Sequence, residues 1–356
     1  MKQDRIYVCH TFYHVYVSLL KEFALPKEQQ KKATMVLSKM SNNFGDLRSR
    51  LEKSGVFEDV IEFDEKSYTY FPELLKYKED QKSFIKNLIN RIIFTKKYGK
   101  LEAAYVPVDF RNYKDIYVFC DSDPIGYYLN YKRIKYHAVE DGLNCLAYYD
   151  TARYDNRGHF KLKALLSSWN WIFIQNGYGK YCIDMEVNDI MALKYPMKKY
   201  VECPRKALEE NLSKEAKQTI IDIFIKDKEK ILEILGGLSK DKKNYLILTE
   251  PLCTLEIRKQ IFSDLIKEYE AEANITLKQH PRDELDYSVT FPGVCLIEKT
   301  VPMEVLNFLG ENAFDKAISV LTEVKGIRFA KECVKLGPDF MDKYEEASIH
   351  RQNEFI

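Results

Sequence analysis

The sequence predicts an α/β protein made of two Rossmann-like domains, and three observations carry that expectation. Short β-branched and aromatic runs alternate with helical periods in the first 140 residues, the signature of a doubly wound parallel sheet. The alternation loosens between residues 148 and 199 and resumes afterwards. A length of 356 residues exceeds the usual span of a single core, so the boundary is placed at 200/201, giving domains 1–200 and 201–356.

Taken in order, Arg5 to Cys9 (RIYVC) reads as a strand, His10-Thr11-Phe12 as a turn, and Tyr13 to Phe23 as an apolar-periodic helix. Thr34 to Leu37 and Val56 to Phe63 read as strands, with a helix over Asn43 to Glu52 between them. Pro72 to Lys97 repeats Phe84, Leu88, Ile92 and Ile93 at helical spacing and reads as one surface helix. Asp115 to Cys120 (DIYVFC) and Tyr136 to Val139 (YHAV) are strands flanking a helix over Pro124 to Tyr131. The aromatic-rich stretch from Tyr148 to Lys199 reads as an irregular crossing region.

In the second half, Lys214 to Leu235 reads as a long helix stopped by Gly236-Gly237. Tyr245 to Thr249, Ile275 to Lys278, Val294 to Ile297 and Lys316 to Leu321 read as strands. Helices are expected over Thr254 to Glu270, over Pro302 to Leu309 with proline near its first position, and in the remainder of the chain.

Composition excludes several classes. With 46% hydrophobic and 31% charged residues the chain is an ordinary globular protein rather than a disordered or fibrous one. A net charge of +1 gives no global field for nucleic acid or an anionic membrane. The basic segments Thr95 to Lys100 and Lys194 to Lys199 are interrupted by aromatics and read as solvated surface with snorkelling stems. The eight cysteines form no CxxC pair and no zinc-spaced cluster with histidine, which suits reduced, buried thiols and the cytosol. The start MKQDRIYVCH lacks a signal-peptide pattern, and no run of 18 apolar residues spans a membrane; peripheral attachment at the inner face of the membrane stays open.

Open parallel sheets bind ligands at the carboxyl ends of their strands, so polar residues just after strands are the first candidates. These are His10-Thr11, Asp121-Ser122-Asp123, Glu140-Asp141-Gly142 and His280-Pro281-Arg282. Adjacent acids in a poorly solvated site raise one pKa toward that of a general base, although Glu140-Asp141-Gly142 also fits an ordinary Asp-Gly turn. Pro281 restricts His280 to an extended backbone, from which the imidazole reaches a leaving phosphate and Arg282 supplies charge; from a lone His-Pro, a loop histidine without function is the better reading. Ser319 and Thr322, before a helix expected near Glu323, form a phosphate cradle of hydroxyls and free N–H groups. His10 and His14 are one helical turn apart with no third metal ligand; His10 is assigned to lining the site and His14 to packing. Asp121 and Asp123 form a D-x-D that serves either a divalent metal or a helix cap before Pro124.

In this order the residues resemble glycosyltransferase family 52, the bacterial lipooligosaccharide sialyltransferases, and more widely the bacterial sialyltransferases with acidic-acidic-Gly and His-Pro motifs. Supporting segments are VCHTFYH at Val8 to His14, the run from Asp115 to Leu146, and VPMEVL at Val301 to Leu306. The resemblance implies a GT-B architecture, an acceptor-side N-terminal domain and a nucleotide-donor-binding C-terminal domain. It also implies metal-independent inverting transfer without a cofactor, CMP-sialic acid as donor, and a galactose-type hydroxyl of a capsule or lipooligosaccharide glycan as acceptor. It maps the base to Glu140, with Asp141 second, and the phosphate-contacting acid to His280. It maps the phosphate-binding hydroxyl to Ser319 with Thr322 beside it. Some members use an acid after the first strand of the C-terminal domain, which here is Glu250, so the base stays open between Glu140 and Glu250. His10, Thr11, Asp121, Gly142, Pro281 and Arg282 complete the expected substrate contacts. A transferase using another nucleotide sugar or a CDP-polyol, and a catalytically silent scaffold, are the alternatives; the oligomeric state, including a homodimer, is left open.

Overall fold

The computed structural model describes residues 3–68, 70–119, 121, 124–141, 146, 158–193, 196–226, 229, 231, 233, 242–324 and 326–350. The chain divides into two compact units, Met1–Leu212 and Ser213–Ile356. The first is built on seven strands: β1 (Gln3–Cys9), β2 (Ala33–Ser38), β3 (Asp59–Phe63), β4 (Tyr113–Phe119), β5 (Tyr136–Val139), β6 (Cys182–Val187) and β7 (Tyr200–Glu202). Their order is β3-β2-β1-β4-β5-β6-β7, and every pairing is parallel. A parallel sheet is covered on both faces, which explains why β2 is buried at every position and β1 over its last five. Strand order reverses between β1 and β4, the switch point at which such sheets open a ligand crevice.

The helices of this unit are α1 (Phe12–Ala24), α2 (Leu47–Ser54), α3 (Glu65–Tyr68), α4 (Phe84–Glu102), α5 (Pro124–Lys132), α6 (Phe160–Ser168) and α7 (Arg205–Glu210). Thr11 caps α1, its Oγ1 accepting from the His14 N–H at 3.2 Å. Gly126 lets α5 close on the end of β4, because a Cβ there would stand 1.8 Å from the Asp121 carbonyl oxygen.

Three expectations change in this half. The single helix over Pro72 to Lys97 is a 3₁₀ turn (Pro72–Tyr77) followed by α4, with Lys82 between them at φ 52° in the left-handed region, where a helix cannot continue. The stretch expected to be irregular contributes α6 and β6; β6 buries Cys182, Met185 and Val187, and the register irregularity after Cys182 breaks the period of two that would mark it in the sequence. The unit also runs past position 200, because β7 pairs with β6 and α7 lies on α1, where Tyr16 Oη donates to Glu209 Oε1 at 2.8 Å.

The second unit holds β8 (Lys243–Leu248), β9 (Ala273–Lys278), β10 (Cys295–Ile297), β11 (Phe314–Ser319) and β12 (Ala330–Lys335) in the parallel order β10-β9-β8-β11-β12. Its switch point lies between β8 and β11. α8 (Lys214–Phe224) stops well short of Leu235, because Ile225 turns extended and buries its side chain; Gly236 and Gly237 lie outside the described residues. α9 (Leu255–Tyr269), capped by Thr254, packs Ile261, Phe262 and Leu265 into the core. The remainder of the chain ends in helical segments as expected, Pro338–Met341 and Ala347–His350, and before them supplies β12, a mostly exposed edge strand whose polar positions leave no apolar pattern to read. Among the described residues no helix is long and apolar enough to cross a membrane.

Candidate active site

In the first unit the ends of β1 and β5 bring three motif residues together. The His10 backbone N–H donates to His14 Nδ1 at 3.0 Å. A backbone N–H can only donate, so Nδ1 is the bare nitrogen and the ring proton sits on Nε2. Nε2 in turn hydrogen-bonds to Asp141 Oδ1. The His14 ring is buried, stacked on Phe119 with centroids 4.4 Å apart, whereas the Asp141 side chain is 37% exposed. Asp141 is therefore a carboxylate with an oriented N–H behind it and solvent in front. His14, assigned to packing from sequence, packs and also holds this acid.

Glu140 has the opposite surroundings. It is buried, its Oε2 accepts from the Asn188 N–H at 2.7 Å, and burial pushes its pKa up against that hydrogen bond and the nearby Arg205. Successive side chains leaving a strand point to opposite sides, so one acid of the pair turns inward and the other out. Gly142 lies outside the described residues.

His10 is buried behind the pair, its Nε2 3.4 Å from Glu65 Oε2. Glu65, which no motif or spacing singles out, is fully buried and accepts from Ser38 Oγ at 2.5 Å and from the Ile125 N–H at 3.0 Å. One carboxylate thus ties the ends of β1 and β2 to the start of α5. Glu102, at the end of α4, is also buried; burial first, and then the charge of Glu65, push its carboxyl up to about 9.

Asp121 was expected to contact substrate, and the structure gives it internal partners. Its Oδ2 accepts from Tyr136 Oη at 2.8 Å and its Oδ1 from the Asn176 N–H at 2.5 Å. Burial raises it to about 6 even against those bonds. Asp123, the other half of the D-x-D, lies outside the described residues, and among the described residues no cluster of His, Cys, Asp and Glu fits a metal ion.

In the second unit the corresponding ends are those of β8, β9 and β11. The His280 N–H donates to Thr249 Oγ1 at 3.0 Å, and His280 Nδ1 accepts from the Arg282 N–H at 3.1 Å, which leaves the ring proton on Nε2. Burial, helped by the charges of Arg282 and Lys278, holds this imidazole down to about 4. The turn is braced by Asp283, whose carboxylate accepts from Arg258 Nη1 at 2.6 Å and Tyr287 Oη at 2.7 Å. Pro281 is half-buried within this turn and the Arg282 side chain is exposed.

Among the described residues no helix starts near Glu323, and the backbone after β11 instead turns three successive N–H groups inward. Those of Val320, Leu321 and Thr322 donate to the Glu250 carboxylate at 2.8–3.1 Å. Ser319 Oγ donates to the Thr322 carbonyl at 2.7 Å and shapes the same turn. Glu250 is buried, with its pKa raised by desolvation against the pull of those amides. Lys278, at the end of β9, is buried and held down to about 7 by burial.

Two parallel, doubly wound sheets with polar groups gathered at the strand ends define a GT-B protein. An α/β-galactoside α-2,3-sialyltransferase from the luminous marine bacterium Photobacterium phosphoreum shares this architecture, with a TM-score of 0.54 at 13% identity over 99% of this chain and 96% of that one. A sialyltransferase from Photobacterium damsela superposes with a TM-score of 0.49 at 13% identity, covering 99% of this chain and 79% of that one. The model of glycosyltransferase family 52 matches residues 55–318, and the chain belongs to that family. An uncharacterized protein of Haemophilus influenzae (strain ATCC 51907 / DSM 11121 / KW20 / Rd) is 30% identical over 139 residues, 34% of this chain and 44% of that protein, so the match spans less than half of that relative.

Proposed function

We propose that this glycosyltransferase is a sialyltransferase that moves sialic acid from CMP-sialic acid to a galactose-type hydroxyl of a bacterial surface glycan, with inversion and without a metal. The observation that carries the reading is the Asp141–His14 pair: a solvent-facing carboxylate with a tautomer-fixed imidazole behind it suits a general base for a sugar hydroxyl. Asp141 takes the hydroxyl proton as the acceptor oxygen bonds to the anomeric carbon; the bond from that carbon to the phosphate oxygen breaks and CMP departs. His280 donates a hydrogen bond to the departing phosphate through Nε2–H. The ring stays a neutral imidazole in that role, because Nδ1 already accepts from the Arg282 N–H, so it stabilises the developing phosphate charge by the hydrogen bond and keeps its proton. In this assignment Glu140 and Glu250, both buried and engaged by backbone amides, hold the strand ends in shape.

The test combines transfer and binding. Incubation with CMP-sialic acid and a galactose-terminated acceptor is expected to give a product of inverted anomeric configuration by NMR, undiminished by EDTA. CMP is expected to raise Tm while UMP and UDP do not, since a ligand that binds only the folded state stabilises it by mass action. A shift with uridine nucleotides alone would transfer the reading to another nucleotide-sugar donor, and binding without turnover would make the chain a scaffold.

A further inference from the structure

The short helix α3 lies across the carboxyl edge of the first sheet instead of leading away from it. Its first residue, Glu65, reaches Ser38 at the end of β2, stands 3.4 Å from His10 beyond β1, and accepts from the Ile125 N–H at the start of α5. Tyr68 closes the same turn, roughly 5 Å further along the helix axis, and is 54% exposed. Its ring stacks on that of Tyr105, with centroids 5.7 Å apart and planes 6° from parallel. Tyr105 follows the end of α4, where Glu102 lies within reach of the Glu65 charge, and is itself 44% exposed. Two distant segments therefore meet at this edge to present a pair of parallel rings to solvent, and the carboxyl edge is where such sheets take their ligands.

The pair is braced from behind. Phe71 lies 6.1 Å from Tyr105 and sets its edge against Tyr98 at 5.6 Å, and Tyr98 meets Tyr127 of α5 at 5.0 Å. This chain of rings runs from the surface into the unit and fixes the outer two in orientation before anything binds, so little freedom is lost when a ligand lies on them. The face of an aromatic ring is negative, which disfavours an anionic group and favours polarised C–H bonds. A pyranose ring offers such bonds on one face and hydroxyls at its rim, and a tyrosine ring offers an apolar body with a polar tip. Position separates this place from the reacting sugar. In the order β2-β1-β4-β5, two to three spacings of about 4.8 Å divide the strands beneath Glu65 from β5, whose end carries Asp141. A sugar on Tyr68 thus stands further along a glycan whose terminal ring is at Asp141.

We propose that Tyr68 and Tyr105 form a stacking platform for a non-reacting sugar ring of the acceptor glycan, beyond the residue that receives the transfer. The proposal deepens the transferase reading and rests on it for the identity of the glycan as acceptor. Binding is measured on the full chain without donor, by saturation-transfer NMR with methyl β-galactoside and with a galactose-terminated tetrasaccharide. The tetrasaccharide is expected to bind more tightly. Tyr68→Ala and Tyr105→Ala are each expected to shrink that advantage by roughly three- to tenfold, the worth of one stacked ring. Tyr68→Phe keeps the ring face and is expected to keep the advantage. Equal affinity of the unaltered chain for the two sugars, or an advantage that survives both Ala variants, overturns the proposal. If an Ala variant weakens both sugars alike, its ring is structural and the proposal falls. So it does if light scattering finds a doubled mass that Tyr68→Ala returns to that of one chain, which assigns the rings to a second copy. The rise in Tm with CMP tests the donor separately: if CMP gives none while the tetrasaccharide advantage still depends on Tyr68, the sialyltransferase reading fails and the sugar platform stands.

Discussion

Asp141 and Glu250 each stand just past the end of a strand in a parallel sheet, β5 and β8, and their surroundings are opposite. The Asp141 side chain is 37% exposed, with the His14 imidazole against it. Glu250 is buried with three backbone N–H groups closed around its oxygens. A carboxylate that is to collect a proton from a ligand must be reachable from solvent, whereas one buried against amides holds a turn together. Position after a strand nominates an acid, and its partners decide which of the two jobs it does.

The comparison breaks most visibly on turnover. Asp141→Asn is expected to lower kcat for sialyl transfer by about 10²–10⁴-fold with little change in Tm, the range a general base supplies. Glu250→Gln is expected to do the reverse, keeping turnover within about tenfold while lowering Tm by roughly 5–10 °C as charge-assisted bonds to the amides are lost. If Glu250→Gln abolishes transfer in a protein of unchanged Tm, the two roles exchange.

His280→Ala is expected to cost about 10²-fold in turnover in a folded protein. Its imidazole is held down to about 4 against an ordinary 6.5, so between those values the unfolded chain binds a proton that the native one does not. Stability therefore falls as pH drops from 6.5 toward 4, and the Ala variant should lose less over that window in paired melts. A smaller effect separates positioning from chemistry at His14. His14→Leu is expected to lower kcat roughly tenfold with KM nearly unchanged, and His14→Gln, whose amide reaches Asp141 with an N–H, to recover most of it.

The smallest effect is on stability alone. Glu102 is pushed up to about 9, so above its ordinary 4.5 the unfolded chain releases a proton that the native one retains, and stability declines as pH rises between those values. Glu102→Gln has no such proton to lose and is expected to raise Tm at pH 8 by roughly 2–4 °C, with the advantage fading toward pH 5.

The sequence carried much of the site as nominations. Each strand-end motif, including His10, Glu140-Asp141 and His280, does lie at the carboxyl end of its strand. Their environments were illegible because they depend on distant partners: Asp141 meets His14 across 127 residues, and Glu250 meets Val320 across 70. Glu65 and Asp283 carried no signal at all, since a buried acid looks in sequence like a solvated one until its donors are known. Arg258 sits on a helix whose other charges face water, and nothing local distinguishes it from them.

The sequence by itself determined two parallel α/β sheets, because the alternation of apolar runs with helical periods is a local property that the backbone obeys wherever the chain goes. Only the tertiary structure decided which acid is exposed and which buried, and which imidazole nitrogen holds the proton. Those outcomes rest on which groups meet across long stretches of chain, and burial and hydrogen-bond partners exist only once the chain has folded.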